Sequence, residues 1–265
     1  MRKLAATLIS AMMLAGCGTN AKKPLAMSGL SGNWQMTLQS STSSETQSGF
    51  LLQSGSSLTG SLLLSGQVIS GQTSCAGIGS VQGQMNGSDV VMTVSLAGQT
   101  ISLVGTPGDN STSMSGTYSI LASGCGQTET GTWTATQIAP LNGSFQATFT
   151  FFGLTSTFHF AGTISQAANA GESTAMLSGN MTSTDSPCFA SSSIAGVITG
   201  TSVIINLLAS NGESLGKYEA TITADATSLG GTFRFSNASD PDLLGACQGL
   251  GGNATVTVQP SAGTT

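Results

Sequence analysis

The chain is 265 residues long and nearly uncharged: 6% of it is charged, with 6 Lys or Arg against 11 Asp or Glu and a formal net charge of −5, where an average globular protein carries about 25%. No Lys or Arg occurs between Pro24 and Gly216. This excludes the clustered cations that binding to nucleic-acid phosphates requires, and leaves only Lys22 and Lys23 for attraction to anionic lipid.

At the amino end, Arg2 and Lys3 precede an apolar run from Leu4 to Ala15, and small residues Ala15 and Gly16 precede Cys17. This is the pattern of a secretory signal. The run is too short for a hydrocarbon core of about 30 Å, which needs roughly 20 apolar residues. The four residues Leu14-Ala15-Gly16-Cys17 are similar to the lipobox of bacterial lipoproteins. The resemblance implies that residues 1–16 are a signal peptide, that Cys17 carries a diacylglycerol and an acylated amino group, and that residues 17–27 form a lipid-anchored linker. Several acyl chains on one residue make a durable anchor where a single chain binds only marginally. The expected address is the bacterial cell envelope, and Gly18 after the cysteine favours the outer membrane by the same resemblance.

The remainder reads as an internal duplication. Leu30–Leu38, LSGNWQMTL, matches Leu141–Phe149, LNGSFQATF; the stretch from Cys75 runs beside that from Cys188; and GTYSI at Gly116 meets GTFRF at Gly231. Two units follow, 28–138 and 139–260, each of ordinary domain size. Apolar residues alternate with polar ones in both, as at Trp34, Met36 and Leu38 or Phe145, Ala147 and Phe149, so each set lies on one face of a strand. About eight strands are expected per unit, in the first near Trp34, Phe50, Leu62, Val81, Met92, Ile101, Met114 and Trp133. Turn signals at Asn86-Gly87, Pro107-Gly108-Asp109, Asn211-Gly212 and Asp240-Pro241 separate strands. The predicted fold is all-β: two tandem homologous antiparallel domains, each a barrel or a sandwich. Gly32-Asn33-Trp34 is similar to the Gly-x-Trp that opens lipocalins, and Leu30–Leu38 resembles the first strand of avidin-type barrels. That resemblance implies a calycin-like barrel. It carries over no ligand residues, because the second unit has Phe145 in place of Trp34 and the first unit has no Arg to stack on Trp34.

With Cys17 set apart for lipid, Cys75, Cys125, Cys188 and Cys247 remain. An oxidising compartment favours disulfides, and four cysteines allow three pairings. The duplication selects the pairing within each unit, Cys75 with Cys125 and Cys188 with Cys247.

Groups for catalysis are sparse. His159 is the one histidine and, between Phe158 and Phe160, falls on the solvent side of its strand, with no second His or free Cys to build a metal site. Asp89, Asp109, Asp185, Glu213, Asp225, Asp240 and Asp242 lie in Gly, Pro, Ser or Asn-rich stretches, where acidic residues are routine in turns. Gly249-Leu250-Gly251-Gly252 lacks the lysine of a phosphate-binding loop. The sequence therefore points to an exported lipoprotein with a non-catalytic binding role, for a small apolar ligand or an envelope protein. A purely structural envelope protein is the alternative, and a hydrolase would require two carboxylates converging in a pocket. No cofactor, metal or nucleic-acid partner is expected.

Overall fold

The structure, a computed structural model, describes residues 29–64, 77–96, 98–122, 128–153, 155, 157–167, 174–183, 185–237 and 247–261. It contains two closed barrels of eight strands each, every neighbouring pair antiparallel. The first comprises β1 Gly32–Gln39, β2 Ser44–Ser54, β3 Ser57–Leu64, β4 Gly77–Asn86, β5 Asp89–Leu96, β6 Gln99–Pro107, β7 Ser113–Ala122 and β8 Glu129–Ile138. The second comprises β9 Gly143–Phe151, β10 Thr157–Ala167, β11 Ala175–Thr182, β12 Ser191–Thr199, β13 Ser202–Leu208, β14 Ser214–Ile222, β15 Ser228–Phe235 and β16 Gly251–Pro260. Barrel 1 closes through β1 on β8, and barrel 2 through β16 on β9. Of the two architectures the alternation allows, the barrel is adopted, and closure leaves no unpaired edge strand. All eight first-unit positions named from the sequence fall in successive strands.

The two-residue period decides what faces inward. Trp34, Met36, Leu38, Leu51, Leu62, Val81, Met92, Val94, Ile101 and Trp133 fill barrel 1, each at most 2% exposed. Most of the intervening side chains are Ser, Thr and Gln and face outward, together with the exposed Leu63, Ile78, Val91, Val104 and Leu121. Among the described residues no helix is long and apolar enough to cross a membrane.

Each barrel has two unlike ends. At one, Leu30 and Leu141 are buried beneath the first strand of their units. The same lock holds both: Leu30 N–H donates to Gln53 Oε1 (2.8 Å) while Gln53 N–H donates to Ser31 Oγ (2.8 Å), and Leu141 N–H donates to Gln166 Oε1 (2.9 Å) while Gln166 N–H donates to Asn142 Oδ1 (2.7 Å). This is the plug end, and its repetition is the duplication written in hydrogen bonds. At the opposite, loop end, barrel 1 has its β1–β2, β3–β4, β5–β6 and β7–β8 connections.

Trp133 occupies a slot made by small residues. Gly105 and Gly116 stand opposite each other on β6 and β7; a Cβ on Gly105 would come within 2.8 Å of the indole. The indole N–H is shared between Val104 O (3.2 Å) and Thr117 O (3.1 Å), so the largest core side chain leaves no buried donor unpaired.

The barrels meet where the plug end of barrel 2 abuts the outer face of β2. Asn33 is 1% exposed; its Nδ2 donates to Gly200 O and its Oδ1 accepts from Gly200 N–H, both at 2.6 Å. Gly200 sits in the β12–β13 turn with φ +55°, against Ser48. Phe50, pointing outward from β2, is buried within the core cluster of barrel 2, with Leu52 packed beside it.

Candidate functional site

Strand period and register bring the candidate site together at the loop end of barrel 1. On β2, Glu45 and Gln47 share the inward face with Leu51, standing opposite Leu38 and Met36 of β1. On β7 and β8, Tyr118 stands opposite Gly131 and Ile120 opposite Glu129, so Tyr118 and Glu129 also point inward. Tyr118 Oη donates to Glu129 Oε1 at 2.6 Å, and Ser43 Oγ donates to the same oxygen at 2.8 Å. The β1–β2 turn fixes Ser43, because Ser40 Oγ accepts from the Thr42 and Ser43 N–H groups at 3.1 and 3.0 Å.

The electrostatics of this cluster are divided. The hydrogen bond from Tyr118, then that from Ser43, holds Glu129 below the usual carboxylate range against an opposing effect of burial. Burial first, and the Glu129 charge second, raise Glu45. Burial and the bond to Glu129 push the Tyr118 phenol up to about 12. Gln47 is 1% exposed, yet neither its Oε1 nor its Nε2 has a hydrogen-bond partner. A buried amide in that state costs about 1–3 kcal/mol.

Barrel 2 shows what the same positions become when they only pack. Aligning the duplicated registers places Phe158 at Glu45, Phe160 at Gln47 and Phe233 at Tyr118. These rings join Phe149, Phe151, Phe189 and Phe235 in a continuous aromatic cluster; Phe149 packs on Phe160 and Phe233 with centroids 5.0 and 4.8 Å apart, and Phe160 stacks on Phe189 at 5.0 Å. Below them a cavity of about 30 Å³, walled by Phe145, Ile164, Met181, Ile205 and their neighbours, has room for little more than a water and offers it almost no polar partners. Ligand sites usually span about 300–1,000 Å³.

Other residues singled out in the sequence have structural settings. His159 is exposed and on the face opposite Phe158 and Phe160, as the alternation implies. It does not stand alone: its Nδ1 lies 2.7 Å from Asp185 Oδ2, and its N–H donates to Asp185 Oδ1 at 2.8 Å. Those bonds, with one from Ser183, lower Asp185 to about 2, so the carboxylate accepts and Nδ1 carries the proton. Both side chains are open to solvent, at 61% and 45%, and Ser183 bonds Asp185; the pair ties the β11–β12 connection to β10. Asp225 accepts from Thr223 and Thr227 within the β14–β15 turn, Glu213 closes a turn with Asn211, and Asp89 and Asp109 are exposed beside turns. Asp240 and Asp242 lie outside the described residues, and among those described no group of three His, Cys, Asp or Glu could hold a metal.

Cys188 and Cys247 are bridged, with Cα atoms 5.5 Å apart, joining the β11–β12 and β15–β16 connections. Cys17, Cys75 and Cys125 lie outside the described residues; the β3–β4 and β7–β8 connections that carry the latter two are the topological equivalents of the bridged pair.

A second hollow, a groove of about 660 Å³ on the outer face of β14 and β15, contains Lys217, Arg234 and Phe152. Lys217 stands opposite Arg234 in register and pairs with Glu219.

Glu45, Gln47 and Glu129 are absent from the sequence-derived candidates. The signal was available: setting SSETQSGF beside STFHFAG of the other unit puts a carboxylate and an amide at positions where the duplicate has rings.

The fold thus places the chain among proteins built from tandem eight-stranded antiparallel barrels. No family model matches it, and no curated protein does. Among solved structures, it is similar to the crystal structure of kievitone hydratase from Nectria haematococca, with 11% identity, 92% of this chain and 95% of that chain covered, and a TM-score of 0.22, a likeness too slight to carry an inference.

Proposed function

We propose that this chain is an exported lipoprotein, held in the outer membrane of a bacterial envelope by acylated Cys17, and that it binds rather than catalyses. Barrel 2 serves as a packed scaffold and barrel 1 as the binding module, each stapled by one disulfide, Cys75 with Cys125 in the first. The observation that supports this most is the contrast at equivalent positions: Phe158, Phe160 and Phe233 in one barrel, Glu45, Gln47 and Tyr118 in the other. Polar groups retained where an apolar set would stabilise the fold are the mark of a site. A small apolar ligand deep in barrel 2 gains no support from a cavity of about 30 Å³.

Native mass spectrometry on the gently extracted protein tests the reading. A retained small molecule on the wild type, absent from Gln47→Met, is the expected result; bare protein in both cases contradicts it. The anchor is tested separately: Cys17→Ser should move the protein from the membrane to the soluble fraction.

A second reading, hydrolysis across a carboxylate pair, is favoured by one observation, the opposite shifts of Glu45 and Glu129, which is how environment separates an acid from a base. Non-catalytic binding is preferred because the bonds from Tyr118 and Ser43 hold Glu129 as a fixed charge, suited to meeting a ligand rather than to trading a proton. Turnover of chromogenic glycosides that disappears in both Glu45→Gln and Glu129→Gln would reverse that preference.

A further inference from the structure

We propose that the loop end of barrel 1 binds a small organic cation with N–H donors, an ammonium whose charge is met by Glu45 and Glu129 and whose N–H is accepted by Gln47 Oε1. The inference rests on the binding reading above and adds the chemical class of the ligand.

Charge carries the first part. The unit 28–138 contains no Lys, Arg or His at all, so it has no cation of its own for two carboxylates set on the inward face of one barrel end. The influences on Glu45 are burial and the neighbouring Glu129, both of which oppose its charge. A carboxylate in that position gains from any cation that reaches it, and the gain grows as water is excluded.

Hydrogen bonding carries the second part. Gln47, two residues along the same inward face of β2, is a buried amide with both polar atoms unmatched. Native structures rarely leave such groups unpaired, and an exception calls for a missing partner. The partner that also suits the two carboxylates is a donor. A hard dication suits the site less well, since calcium takes six to eight oxygens and no third acid joins this pair among the described residues. An ammonium asks for fewer acceptors.

The duplicate supplies the control. In barrel 2 the corresponding Phe158, Phe160 and Phe233 close the end without charge, so neither the fold nor the connections require carboxylates there.

The test uses the full mature chain and four probes at neutral pH: propylammonium chloride, propanol, sodium propionate and calcium chloride. The readouts are calorimetry and the Gln47 side-chain amide resonance. Propylammonium is expected to shift that resonance, and its affinity to fall about tenfold in Glu45→Gln and in Glu129→Gln, the loss of one charge-assisted hydrogen bond each; unchanged circular dichroism verifies that both variants fold. An equal response to propanol, a response to calcium or propionate in place of the ammonium, or equal affinity in the Glu→Gln variants overturns the charge assignment and leaves the binding reading standing. No response to propylammonium at millimolar concentration overturns the proposal, while the native mass decides the binding reading independently.

Discussion

At the residue scale, Glu45 and Asp185 titrate in opposite senses and give opposite slopes of stability against pH. Glu45 is raised above its ordinary 4.5 in the folded state, so the native form holds its proton longer than the unfolded chain does. Stability therefore falls as pH rises through the interval between the two values and stays low above it. Glu45→Gln should flatten that slope and raise the melting temperature at neutral pH; an unchanged melting temperature would mean the carboxylate is already compensated. Asp185, lowered from 3.8 to about 2, adds stability above its unfolded value that is lost as pH falls toward about 2. Its contribution is small because the group is exposed, and Asp185→Asn should remove it without altering the neutral-pH melting temperature by more than a degree or so. Neither setting was evident from the sequence alone. Asp185 read as a turn residue and is one, but its pairing with His159 spans 26 positions, a separation that no local pattern encodes. Glu45 lay in a run of Ser and Thr that masks its inward face.

At the element scale, the strands were legible because a period of two runs through most of them. Met36 against Thr37 and Val94 against Thr93 state the buried face directly, and Asn86-Gly87 and Asn211-Gly212 fall in turns as expected. Barrel against sandwich was not legible, since both bury one face of each strand; the choice depends on whether β1 reaches β8, a pairing across about a hundred residues. Register imposes its own constraints. A Cβ on Gly116 would land on Val104 O and Gly105 Cα, so Gly116→Ala should cost about 2–3 kcal/mol, in the range of overpacked cores, measured by urea unfolding. The Cys188–Cys247 bridge closes a separation of 59 residues, for which the chain-entropy model gives about 4 kcal/mol. The double Cys→Ser variant at these positions should lose up to that amount, with the loss confined to barrel 2.

At the scale of the whole molecule, the barrels are joined by the Asn33 clasp and by Phe50, with the plug end of one set against the wall of the other. Asn33→Ala removes two buried hydrogen bonds at 2.6 Å and leaves two Gly200 backbone groups without that partner, so about 2–3 kcal/mol should be lost and the two unfolding transitions should separate. The low charge has a proteolytic consequence. Lys217 and Arg234 lie within the β14–β15 ladder, where an extended cleavable conformation requires opening the barrel, so trypsin acting on the folded protein should leave the bond after each intact.

The division of labour between the barrels depends on the polar groups at the loop end of barrel 1 serving a ligand rather than the fold. Equilibrium unfolding of Gln47→Met, close to glutamine in volume, in the absence of any added ligand tests this most directly. The expected result is a gain of about 1–3 kcal/mol, because an unmatched buried amide is replaced by an apolar side chain. A loss of comparable size would show that the amide already holds the barrel together, and would contradict its assignment to a binding site.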